Sequence, residues 1–195
     1  MEDSTTQPSL PLAGFSVRLL ALFIDNYVAL PIVYFIAFVV PEPPLEPLLV
    51  ALAPLPLWLI FTALYYVPSW TLLGAGPGGN ALGLRIVERD GSPIGFGKAI
   101  IRFLASIVPA AFISLGYLQH VIGFLVFVVL MLLIGMGYLW AAFDPEKQTW
   151  HDKIASTYVL RDTAAHPLRL LALLLIPMLL WTVLAFWGLT QATVL

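Results

Sequence analysis

An arginine and an aspartate within an otherwise apolar run are the residues of this sequence best placed to do chemistry. Arg18 and Asp25 are seven residues apart in the run from Phe15 to Val40. At 3.6 residues per turn they share one helix face, roughly 10 Å apart along the axis. With Arg18 at a membrane surface, Asp25 lies inside hydrocarbon, where an acidic side chain costs roughly 2.5–3.5 kcal/mol on insertion scales and is kept if paired, protonated or wetted by a pathway. A carboxyl out of water can load and release a proton as nearby charge changes, which is the chemistry of a proton or cation site. A static pair with a neighbouring helix explains the same residue. Both readings stay open.

The other candidates lie further along. Arg102 stands near the start of a later apolar run, and His151-Asp152 in a polar segment. Asp152 there either caps a helix or turn or folds back to Arg18 or Arg102 as a salt bridge at the membrane rim. Enzyme chemistry has little support: H-E-x-x-H and G-x-S-x-G are absent, and there is no cysteine. Disulfides and thiolate metal sites are thereby excluded. The histidines, His120, His151 and His166, show no helical ligand spacing, so neither a metal nor a cofactor is expected. Gly74-Ala75-Gly76-Pro77-Gly78-Gly79 matches G-x-G-x-x-G, but it follows an apolar helix rather than a strand and reads as a tight turn.

The elements that hold these residues follow from composition. Of 195 residues, 61% are hydrophobic and 10% charged, against roughly 25% charged in a soluble domain, and the mean hydropathy is +0.96. The fold class is an all-α polytopic membrane protein with five transmembrane helices and a small cytoplasmic β-hairpin. Spans are expected at about 17–40, 48–73, 96–118, 121–143 and 168–189, after a disordered cytoplasmic tail over 1–14. The second carries Pro54, Pro56 and Pro68, and is either a kinked span or a broken helix lining a cavity. Gly135, Gly137 and Ala141 offer a small-residue face for close helix approach, and Trp70, Tyr138 and Trp140 read as interfacial belt residues. Between spans two and three, the β-prone run Leu84 to Arg89, the turn pair Asp90-Gly91 and a return limb predict a hairpin over 84–95. Ser156 to Leu160, in the polar segment 144–166, is a further strand able to pair with it.

Charge placement orients the map. All nine basic residues fall on one side if five spans alternate, which puts the N-terminus in the cytoplasm and the C-terminus outside. Nothing in the net charge of −2 points to nucleic acid. Five helices make a thin wall around any path, so a transporter is expected as a homo-oligomer in its bilayer. A different class is also open: a scaffold whose hairpin and 144–166 segment dock a cytoplasmic protein.

Three blocks carry a resemblance. Gly14 to Asp25, the Gly-Pro-Gly turn leading to Ala81-Leu82-Gly83-Leu84-Arg85-Ile86-Val87, and Thr149 to Thr157 together resemble the RDD family of bacterial membrane proteins, over roughly Gly14 to Arg161. The resemblance implies that Arg18, Asp25 and Asp152 are the family's arginine and two aspartates, with Gly78, Arg85, His151 and Asp152 in its cytoplasmic motif. It also implies the bacterial inner membrane, and a transport role in which monovalent cations exchange for protons. Family members commonly carry Thr-Pro-Gly-Lys where this chain has Gly76-Pro77-Gly78-Gly79. The lysine is missing, and Arg85 is the candidate substitute. Residues 168–189 lie outside the resemblance as an additional fifth helix.

Overall fold

The computed structural model describes residues 11–39, 54–111, 121–161 and 165–192. Among them the elements are, in chain order, α1 (Phe15–Val39), α2 (Pro54–Leu73), α3 (Pro77–Ala81), β1 (Leu84–Glu88), α4 (Phe96–Ala111), α5 (Val121–Phe143), α6 (Trp150–Ala155), β2 (Thr157–Arg161) and α7 (Pro167–Ala192). The chain is thus mostly helical with a two-stranded sheet. Two stretches among these residues, Leu59–Ala81 and Pro167–Trp187, are long and apolar enough to cross a membrane. The first part of the span expected at 48–73 and the last part of that expected at 96–118 lie outside the described residues.

The prolines of α2 do not break it. Pro54 and Pro56 stand in the first described turn of the helix. Pro68 is interior, and the hydroxyls of Ser69 and Thr71 just after it donate to Tyr65 O and Val67 O just before it.

The sheet is antiparallel, with Ile86 opposite Val159 and Val87 opposite Tyr158. Successive residues of a strand face opposite ways. Leu84, Ile86 and Val159 therefore enter the main core with Ala21, Ile24, Val67, Trp70 and Phe103, while Val87, Tyr158 and Leu160 form a second cluster against Leu12. The hairpin expectation needs correcting. The Asp90-Gly91 turn forms, with Glu88 N donating to Ser92 O at 2.8 Å, but the return limb makes one bridge, Val87 to Pro93. Proline cannot donate to a ladder, so the partner of β1 is β2.

The expected disordered tail also ends sooner. Ala13 N donates to Val159 O and Arg161 N to Pro11 O, both at 2.8 Å, and Leu12 bridges Leu160. Residues 11–13 thus line the free edge of β2. Along the small-residue face of α5, Gly135 is exposed, Ala141 is buried, and a Cβ on Gly137 would sit 3.2 Å from the Trp150 ring of α6. Finally, α7 docks on the glycine-rich turn, with His166 N donating to Ala81 O at 2.7 Å and Arg169 Nη1 to Asn80 Oδ1 at 2.5 Å.

Candidate functional site

Asp152 is placed first by its own neighbours. Thr149-Trp150-His151-Asp152 is a capping box at the start of α6: Thr149 N donates to Asp152 Oδ2 at 2.9 Å, and Asp152 N to Thr149 Oγ1 at 3.4 Å. Such reciprocal bonds satisfy two N–H groups that the first turn leaves without partners. They also hold the carboxylate still. Two arginines from distant elements converge on it. Arg18 Nη2 of α1 lies 2.8 Å from Oδ2, and Arg102 Nη1 of α4 pairs with Oδ1. Arg102 Nη1 also donates to Thr157 Oγ1 at 2.7 Å, and Arg18 Nη1 to Lys147 O at 2.8 Å.

The sequence placed Asp152 in a segment where water would solvate it, yet it is 0% exposed. Burial alone would raise its pKa. The guanidiniums of Arg102 and Arg18, with the Thr149 N–H, overcome that and hold the carboxyl well below the usual range. His151 is lowered as well, to about 3, because burial disfavours its charged form; Asp152 opposes this and the two arginines add to it. The imidazole is therefore neutral at physiological pH, with its ring centroid 4.9 Å from that of Tyr138. The Arg102 guanidinium sits over the Trp70 ring, 5.2 Å from its centroid, an arrangement that favours a cation. Trp70 and Tyr138, expected in an interfacial belt, thus face inward onto the site.

Asp25 is built differently. It is 5% exposed and accepts from Gly78 N at 2.7 Å and from Tyr65 Oη at 3.4 Å, both at Oδ1. Gly78 is the second residue of α3, so Asp25 caps that short helix from across the fold. Hence the glycines. A Cβ on Gly76 would collide with the Asp25 carboxylate, and one on Gly78 would lie 2.7 Å from Ala21 O. The supposed tight turn is a close-packed helix start, seated on α1. Among the described residues, Asp25 has no ion-pair partner.

A cavity of about 320 Å³ joins the two places, lined at one end by Asp25 and Gly76 and at the other by Arg18, Arg102 and His151, with Thr62, Tyr66, Ser106 and Thr149 supplying hydroxyls. Asp152 lies behind the arginines and is not part of the lining. Arg85 is exposed on β1, its Cγ 3.3 Å from where a Gly74 Cβ would stand, and it does not line the cavity. The missing lysine has a packing reason: a side chain at Gly79 would start 3.1 Å from Ala75 Cβ. Sequence reasoning left out Tyr65, Trp70, Tyr138 and Thr157 as site residues. Thr157 carries no sequence signal beyond a β-prone run, and the aromatics resemble membrane-interface anchors.

A helical membrane protein in which one buried carboxylate binds two arginines, beside a cavity that ends at a second buried carboxylate, is the class these features define. The chain belongs to the RDD family, whose sequence model matches residues 12–156. No curated protein and no solved structure matches it.

Proposed function

We propose that this RDD-family chain is a small transporter of the bacterial inner membrane that exchanges monovalent cations for protons at Asp25. It crosses five times, with its N-terminus in the cytoplasm and its C-terminus outside, and works as a homo-oligomer. The observation that carries the reading is Asp25 itself: buried, without an ion-pair partner among the described residues, and lining the cavity that also reaches Arg18 and Arg102. Oδ1 takes both hydrogen bonds, which leaves Oδ2 to hold a proton or a cation in turn. Competition of two positive occupants for one carboxylate is what an exchanger requires. Arg18 and Arg102 each pair with Asp152 through one Nη and set the electrostatic background.

The scaffold reading drew its support from a β element that an ion path does not need. The inner face of that element packs against α1, α2 and α4 in the core, so it has a structural use without a partner.

The test is flux. Purified protein in liposomes holding a pH-sensitive dye, under a proton gradient, is given sodium, potassium or lithium. Cation-dependent dissipation in wild type and none in a folded Asp25→Asn variant is the expected result. No flux from well-folded, oriented wild type overturns the proposal.

A further inference from the structure

The cavity has more positive charge on its wall than one cation site explains. Its charged lining is Arg18, Arg102 and Asp25, and Asp152 stands behind the arginines as a shared counter-ion. Two guanidiniums against one carboxylate leave an excess of one positive charge, because the neighbouring His151 is neutral. Asp25 balances that excess only while it is ionised. A proton or a cation on Asp25 leaves the arginine end uncompensated. The donors tell the same story: Arg18 Nε and Arg102 Nε are buried with no hydrogen-bond partner, on side chains only 10% and 6% exposed. Buried cationic donors of this kind call for an acceptor.

We propose that the arginine end of the cavity binds a small monovalent anion, a halide or a short carboxylate, and that its occupancy rises when the charge on Asp25 is neutralised. The anion lies on the guanidinium edges of Arg18 and Arg102, near Trp70, whose ring the Arg102 guanidinium covers. Charge sets the stoichiometry at one, since a single excess charge is to be matched. This site goes beyond the exchange reading. An anion that enters as Asp25 is loaded keeps the cavity electrically balanced through the cycle.

Trp70 makes the site visible, because bromide quenches indole fluorescence on contact. The full-length protein in detergent is titrated with bromide at constant ionic strength against gluconate, and chloride is then added as competitor. The expected result is a saturable component, displaced by chloride and missing in Trp70→Phe, over the linear collisional quenching of the other five tryptophans. Asp25→Asn keeps the oxygen that accepts from Gly78 and removes the charge. It should tighten bromide about tenfold, the Coulomb effect of one charge roughly 10 Å away in a medium of intermediate dielectric. Arg102→Gln should abolish the saturable component and Arg102→Lys should keep part of it. Linear quenching in both wild type and a folded Asp25→Asn overturns the proposal. Equal bromide affinity in the two removes the link to Asp25. Failure of exchange alone is told apart by its own signature, since saturable bromide binding would persist where cation-driven proton flux is absent.

Discussion

Asp152 and Asp25 are both buried carboxylates, 0% and 5% exposed, yet their surroundings differ in kind. Asp152 is met by two guanidiniums and a backbone N–H; Asp25 is met by one backbone N–H and a distant phenol. In the first, both oxygens are held by cationic donors, Oδ1 by Arg102 and Oδ2 by Arg18. In the second, Oδ1 takes both hydrogen bonds and Oδ2 packs against Gly76. On the proposed exchange Asp25 is the group that changes its charge, and few donors hold it, whereas Asp152 stays charged among its cations. Burial does not tell the two carboxylates apart, but their partners do.

The comparison can be broken at its strong end first. Asp152→Asn leaves two buried arginines without a counter-charge, and should cost about 3–5 kcal/mol, the usual penalty for uncompensated buried charge. Loss of a monodisperse detergent-purified species, or a thermal midpoint too low to measure, would show it. A milder phenotype would mean the triad is wetted.

Acid should reach His151 next. Its folded pKa lies at about 3, below the ordinary value of 6.5, so the unfolded chain binds a proton there that the folded chain does not. Stability from the neutral imidazole is therefore complete above about pH 6.5 and is lost as pH falls toward 3, by about 1.4 kcal/mol per pH unit. Asp152, with its folded pKa depressed, loses its contribution only below the ordinary carboxylate range. Unfolding midpoints of wild type and His151→Phe from pH 7 to 5 isolate the histidine as a difference in slope; parallel curves would refute it.

Gly78→Ala tests the Asp25 end sterically. The added methyl would stand 2.7 Å from Ala21 O and 2.9 Å from Ile24 Cβ. Overpacking of this sort costs about 1–3 kcal/mol. It should lower the thermal midpoint and weaken cation-driven flux together, because α3 must back away from Asp25. Asp25→Asn should disturb stability least, by about 1 kcal/mol or less, since its carbonyl oxygen still accepts from Gly78 N. A folding defect as deep as that of Asp152→Asn would erase the contrast between the two carboxylates.

How much of this could be read from residues alone depends on whether the information was local. The apolar runs, the Asp90-Gly91 turn and a capping role for Asp152 are short-range patterns, and each has its counterpart in the structure. Pairing of 84–88 with 157–161 was an open option because both runs are β-prone, but nothing local could say that Pro93 would deny the return limb a ladder. The meeting of Arg18, Arg102 and Asp152 joins elements far apart in the chain. Residue types suggested that pair of partners, while the burial of Asp152 and the simultaneous use of both arginines depend on the packing of α1, α4 and α6. Trp70 and Tyr138 went astray for a related reason: an amphipathic ring suits a lipid interface and a guanidinium stack equally well. The G-x-G-x-x-G run was rightly denied a nucleotide, but its glycines answer to Asp25 and Ala21, which no spacing reveals.

The sequence distance within the arginine triad bears on how the protein is made. Arg18 leaves the ribosome 134 residues before Asp152, and Arg102 leaves 50 residues before it. Both cations are made before their shared anion. A nascent chain that stops short of Asp152 therefore lacks the carboxylate that Arg18 and Arg102 share in the finished fold.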